Sequence, residues 1–168
     1  PDIMTLAKQL TNGVIPMGAV VAKPDIYEIF MAQGGPEYML EFPHGYTYSG
    51  HPVACAAALA ALDLLQEEEL PRRVATMAPY FEDCLHSLKG SPHVCDIRNY
   101  GFAGALQLAP YPDEPARRPF EIAQRMWEKG FYVRYGGDCI QLGLPFVIET
   151  SQIDSLLAAL GETLVELA

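Results

Sequence analysis

Apolar residues along this chain follow two rhythms. Leu70, Val74, Met77, Phe81, Leu85 and Leu88 recur at intervals of three and four, the spacing of one helix face, and Gly90-Ser91-Pro92 stops that run. A second apolar run from Val53 to Leu65 follows Pro52, whose missing N–H suits a first helical turn, so a helix is predicted over 52–66. Shorter β-prone runs predict strands at 17–22, 94–98 and 101–108, the last two joined by a tight turn at Asn99-Tyr100-Gly101. Between these lie a short helix at 25–32, a surface loop over 34–41, and a proline-rich, charged loop over 111–119. A helix at 120–129 ends on Gly130, paired strands flank Gly136-Gly137, and a last helix runs over 151–167 with Ser151 near its cap. The second half therefore reads as two or three strands under three helices, an α+β layer with its own core.

Composition changes this picture little. The chain has 168 residues, half of them hydrophobic, enough to bury one core or two small ones. Eleven basic against 21 acidic residues give a formal charge of −10, which argues against nucleic acid or an anionic membrane as partner. Glu67-Glu68-Glu69 reads as a solvated helix end. The run from Val53 to Leu65 contains Asp63 and is shorter than the ~20 apolar residues of a membrane span. Cys55, Cys84, Cys95 and Cys139 are widely spaced with no paired motif, which points to free thiols in a reducing compartment, here the cytoplasm. His51 and Cys55 stand at i, i+4 with His44 nearby, but the His-Pro helix start accounts for them, and no metal site is assigned.

Three segments carry candidate chemistry. Lys8 ends the apolar run 3–7 and precedes Leu10. Held among Ile3, Leu6, Ala7 and Leu10, its ammonium would lose hydration and its amine would become a nucleophile able to form Schiff bases; alternatively the stem lies on apolar surface and the charge reaches water. The segment from Glu41 to Pro52 is rich in glycine, hydroxyls and aromatics and leads into the predicted helix, with Ser49, Gly50 or His51 available as cap. Unpaired N–H groups there, with the hydroxyls of Thr47 and Ser49, can receive a phosphate, or simply cap the helix. Arg134, between Val133 and Tyr135, can offer its planar fork to a carboxylate at a pocket edge or serve as a structural partner.

The blocks Pro-Asp-Ile-Met-Thr-Leu-Ala-Lys-Gln (1–9), Gly-Val-Ile-Pro-Met-Gly-Ala-Val-Val (13–21), His-Gly-Tyr-Thr-Tyr-Ser-Gly-His-Pro (44–52), Asp-Ile-Arg-Asn-Tyr-Gly-Phe-Ala-Gly (96–104) and Tyr-Val-Arg-Tyr-Gly-Gly-Asp (132–138) occur together and in order. In them the chain resembles the class III (ω-amino acid) pyridoxal-phosphate aminotransferases, most closely the ω-amino acid:pyruvate and β-alanine:pyruvate branch. The resemblance implies the fold-type I α/β transferase fold, with residues 1–70 the C-terminal part of the large cofactor-binding domain and 71–168 the small α+β domain. It implies pyridoxal 5'-phosphate as cofactor, Lys8 as the lysine that bonds to it and shuttles the proton, Thr47 as a phosphate ligand reaching the other subunit's cofactor, and Arg134 as the mobile arginine for the substrate carboxylate. The expected substrates are an amino donor such as β-alanine and an α-keto acid acceptor, pyruvate, in a homodimer or tetramer.

The resemblance also implies that this is the C-terminal part of a longer enzyme. The acid that pairs with the cofactor's ring nitrogen, the glycine/serine phosphate cradle and the ring-stacking aromatic precede the lysine in the family, and Asp2 is a poor substitute for that acid. The chain alone is accordingly expected to be inactive. Another class III chemistry, an aminomutase or decarboxylase, would keep the same lysine, and a non-catalytic fragment is the remaining alternative.

Overall fold

The computed structural model describes residues 1–39 and 42–168, arranged as two compact units, 1–68 and 69–168. Leu40 and Glu41, the end of the loop expected over 34–41 and the start of the glycine- and hydroxyl-rich segment, lie outside the described residues.

The N-terminal unit opens with a strand that the sequence reading took only as an apolar run. Strand β1 (Ile3–Ala7) pairs antiparallel with β2 (Gly18–Ala22), from Ile3 opposite Ala22 to Ala7 opposite Gly18. Asp2 closes the open end of this ribbon twice: its carbonyl accepts from the Lys23 amide at 2.9 Å and its carboxylate pairs with the Lys23 ammonium at 2.6 Å. Helix α1 (Pro24–Gln33) follows with proline in its first turn, and α2 (Pro52–Glu67) is capped by His51, whose Nδ1 accepts from the Ala54 amide at 3.5 Å. Among the described residues, Ala54, Ala58 and Ala61 are the buried apolar residues of this unit. They repeat at four and three residues along one face of α2, where small side chains let the β1–β2 connection approach.

The C-terminal unit is a four-stranded antiparallel sheet of order β3-β4-β6-β5, from strands Val94–Tyr100, Ala103–Leu108, Cys139–Gly143 and Arg134–Gly136. Helices α3 (Leu70–His86), α4 (Arg117–Glu128) and α5 (Thr150–Glu166) supply the residues that cover one face. Phe81, Leu85, Leu106, Ile122, Met126, Ile140, Ile153 and Leu160 are fully buried in one cluster, as the helical spacing of 70–88 and the strand alternation require.

Three local expectations shift. The β3–β4 turn is Gly101-Phe102, two residues later than its polar composition suggests, because Gly101 takes the positive φ of 55° and Phe102 drops into the core. Helix α4 begins at Arg117, three residues early. Helix α5 starts at Thr150, one residue early, with Glu149 as its cap and Ser151 in its first turn: the Glu149 side chain accepts from the backbone at Gln152, and the Gln152 side chain accepts from the Glu149 amide.

Candidate functional site

Lys8 sits where β1 breaks into a single 3-10 turn, Lys8–Thr11. Its φ is 56°, a left-handed conformation that costs a residue with a Cβ about 1 kcal/mol or more and is tolerated where surrounding structure enforces it. The enforcement is visible. Thr11, 2% exposed, donates its hydroxyl to the Ile15 carbonyl at 2.7 Å, Asn12 also turns left-handed, and the Gly13 amide donates to the Lys8 carbonyl at 3.2 Å. The alanine face of α2 packs against this turn.

The expected burial of Lys8 is corrected. Ile3 is 55% and Leu6 38% exposed, and Lys8 itself is exposed, because these residues line a two-stranded ribbon rather than a filled core. The ammonium has no hydrogen-bond or ion-pair partner among the described residues, in contrast to Lys23 and Lys129.

Thr47 lies in the turn just before α2, exposed, with its hydroxyl uncommitted among the described residues. Ser49 is already used: its Oγ accepts from the Tyr46 amide at 3.0 Å. Between this turn and the stretch 15–18 lies a cavity of about 550 Å³, bounded by Ile15, Met17, Tyr46, Tyr48, Gly50 and His51 among others. Neither Lys8 nor Thr47 lines it, so within this unit the two are not gathered around one cavity.

Arg134 opens β5 at the edge of the C-terminal sheet and borders a second cavity of about 550 Å³, walled by Phe131, Leu144, Ile148 and Leu156 and edged by Gln141 and Gln152. Its guanidinium is the uncommitted one among the described residues. Arg72, Arg117 and Arg125 pair with glutamates; Arg73 donates to the carbonyls of Phe146 and Ile148 and to Glu149; Arg98 pairs with Asp96; Arg118 donates to the Ala109 carbonyl. A cation facing an apolar cavity without a counter-ion is suited to an incoming carboxylate.

Next to it runs a polar network that the sequence reading missed. Arg98 donates to Asp96 at 2.6 Å and to the Gln107 side-chain oxygen at 3.0 Å, Gln107 donates to Asp138 at 2.9 Å, and the Cys139 thiol lies 3.1 Å from Asp138. The hydrogen bonds from Cys139 and Gln107 hold the Asp138 carboxyl below its ordinary range, while partial burial and that carboxylate push the Cys139 thiol up. The alternation Cys139, Gln141 against Ile140, Leu142 was the available signal for this outer face. The four cysteines are free thiols, and among the described residues no group of three His, Cys, Asp or Glu is placed to hold a metal ion. Among them, too, no helix is long and apolar enough to cross a membrane.

Residues 1–164 match the family model described as aminotransferase class-III. The chain is 56% identical over 167 residues to an ω-amino acid–pyruvate aminotransferase of Pseudomonas putida, covering 99% of this chain and 37% of that protein. It is 54% identical over 164 residues to a β-alanine–pyruvate aminotransferase of Pseudomonas aeruginosa, covering 98% of this chain and again 37% of the relative. Among solved structures, an amine transaminase from an uncultivated Pseudomonas species, in its pyridoxal-phosphate-bound form, superposes with a TM-score of 0.90 at 34% identity, over the whole of this chain and 39% of that one. The chain thus spans well under half the length of these relatives.

Proposed function

This chain belongs to the class-III aminotransferase family, and from that premise we propose that, as part of a longer protein, it transfers an amino group from an ω-amino acid or amine such as β-alanine to pyruvate. The names of the relatives from Pseudomonas putida and Pseudomonas aeruginosa support that pair of substrates. The cofactor proposed is pyridoxal 5'-phosphate, in keeping with the bound form of the superposing amine transaminase. When bound, such a cofactor supplies an aldehyde to hold the amine and a ring that stores the electrons released when the substrate proton leaves.

The donor set fits that group. Among the described residues, a primary amine without a partner suits an aldehyde, an uncommitted hydroxyl before a helix start suits a phosphate, and an unpaired guanidinium suits a carboxylate. Lys8 is the residue proposed to bind the aldehyde and then, with its amine freed, to remove and return the substrate proton at Nζ. Thr47 is proposed to donate its hydroxyl to the phosphate of the neighbouring subunit's cofactor, which makes the full-length protein a homodimer or a tetramer built from such pairs. Arg134 is proposed to orient the carboxylate of the acceptor and to move aside for donors that lack one close to the amine. Asp2 is committed to Lys23, which supports assigning the ring-nitrogen acid to another part of the protein. On this reading 1–70 belong to the large cofactor-binding domain and 71–168 form the small one. Free thiols fit the cytoplasm, and the charge of −10 fits a protein that engages neither nucleic acid nor membrane.

The observation that carries the proposal is Lys8: a left-handed backbone at a strand break, clamped by Thr11 and the alanine face of α2, presenting an amine with no structural partner among the described residues. In the full-length protein Lys8→Ala is expected to abolish alanine formation from β-alanine and pyruvate, a loss of several orders of magnitude. Retained turnover in that variant contradicts the assignment.

A further inference from the structure

Two arginines stand at opposite ends of one row across the outer face of the C-terminal sheet. The register places Arg98 opposite Ala105, Ala105 opposite Gln141, and Gln141 opposite Arg134. The neighbouring row runs Asp96, Gln107, Cys139, Gly136. At the β3 end the guanidinium is filled: Arg98 holds the Asp96 carboxylate and the Gln107 amide oxygen together. At the β5 end Arg134 has a glutamine directly across the strand and, among the described residues, no carboxylate partner. Neither the Arg134 fork nor the Gln141 amide makes a side-chain hydrogen bond among the described residues, and both line the same apolar cavity.

Gly136 completes the arrangement. A Cβ there would lie 3.4 Å from the Gln141 amide nitrogen, so a bare residue beside Arg134 leaves this side chain room to turn. Directly opposed residues have Cβ atoms about 4.5–5.5 Å apart, within reach of a hydrogen bond between a guanidinium and an amide.

We propose that Gln141 is the positioning residue for Arg134: its amide oxygen accepts one N–H of the guanidinium, as the Gln107 amide oxygen does from Arg98, and leaves the rest of the fork to the substrate carboxylate. The inference rests on the reading of Arg134 as the carboxylate-binding arginine. An amide suits this role because it accepts a hydrogen bond without neutralising the cation that the substrate must find. A carboxylate across the strand would itself pair with the guanidinium, as Asp96 pairs with Arg98 Nη1 from two residues earlier on β3.

The test is a series in the full-length protein, read as the KM for the keto acid relative to the KM for a carboxylate-free amine donor. Gln141→Leu, which removes the acceptor and keeps the bulk, is expected to raise that ratio about three- to tenfold, the effect of losing one orienting hydrogen bond. Gln141→Glu is expected to raise it further, beyond about tenfold, although it is the closer match in shape and polarity. With Arg134→Ala already present, Gln141→Leu should change the ratio by less than twofold. A Gln141→Glu variant that behaves like the parent, or a Gln141→Leu effect that persists without Arg134, overturns the inference while leaving the role of Arg134 standing. An Arg134→Ala variant whose keto-acid KM is unchanged overturns the carboxylate reading itself, and this inference with it.

Discussion

The two units are built from similar proportions of apolar residues but use them in opposite ways. In residues 69–168 the large side chains converge: Phe81, Leu85, Leu106, Ile140 and Leu160 are wholly buried in one cluster under the sheet. Among the described residues of 1–68 the buried apolar ones are alanines, while Val20, Tyr27, Ile29, Val53, Leu59 and Leu62 are exposed. The unit that carries Lys8 and Thr47 is therefore held by local devices, a two-stranded ribbon, an ion pair and a threonine clamp. An isolated two-stranded ribbon is at best marginally stable in water. The contrast teaches that the groups with the chemistry stand on the part of the chain that most depends on surfaces beyond itself, and that its exposed apolar face favours association.

The contrast is broken most severely by truncating side chains in each unit and following denaturant unfolding of the 168-residue chain. Leu85→Ala is expected to cost about 2–5 kcal/mol, whereas Leu62→Ala should stay within about 0.5 kcal/mol, because a side chain already half in water has little burial to lose. Equal effects would mean that the N-terminal unit has a core of its own. A finer probe is Gly104→Ala. Its Cβ would meet Leu85 Cδ2 at 2.8 Å and Phe81 Cζ at 2.9 Å, and in a packed interior neither can yield freely, so a loss of about 1–3 kcal/mol is expected in the same assay.

The smallest effect concerns pH. Asp138 is held below the ordinary carboxylate range by hydrogen bonds from Cys139 and Gln107, so its contribution is present above the unfolded value and disappears as pH falls through the folded one. Amide exchange protection of the β5–β6 hairpin should therefore weaken below the ordinary aspartate range, and Asp138→Asn should flatten that dependence. An unchanged profile in the variant would place the acid sensitivity elsewhere.

Legibility in the sequence followed the same division. The 70–88 periodicity marked α3 because the residues that repeat there are those the core buries, and Gly136-Gly137 marked the hairpin because Gly137 takes a positive φ of 58°. The strand 3–7 was hidden: its residues are exposed on both sides, so no alternation distinguishes it from an apolar run. The burial predicted for Lys8 failed for the same reason, since apolar neighbours in sequence do not enclose a side chain unless a second layer covers them. Arg134 was picked out by its setting, but Gln141 requires register: 134 and 141 flank the turn symmetrically, and only the pairing reveals that they share a row.

The covalent role of Lys8 is the central claim, and one measurement tests it directly. Borohydride reduction of the full-length protein in the presence of pyridoxal 5'-phosphate, followed by peptide mass mapping, should place the phosphopyridoxyl mass on the peptide containing Lys8 and remove it in Lys8→Ala. A label found on Lys23, Lys89 or Lys129 instead, or one that survives the substitution unchanged, would contradict that role for Lys8.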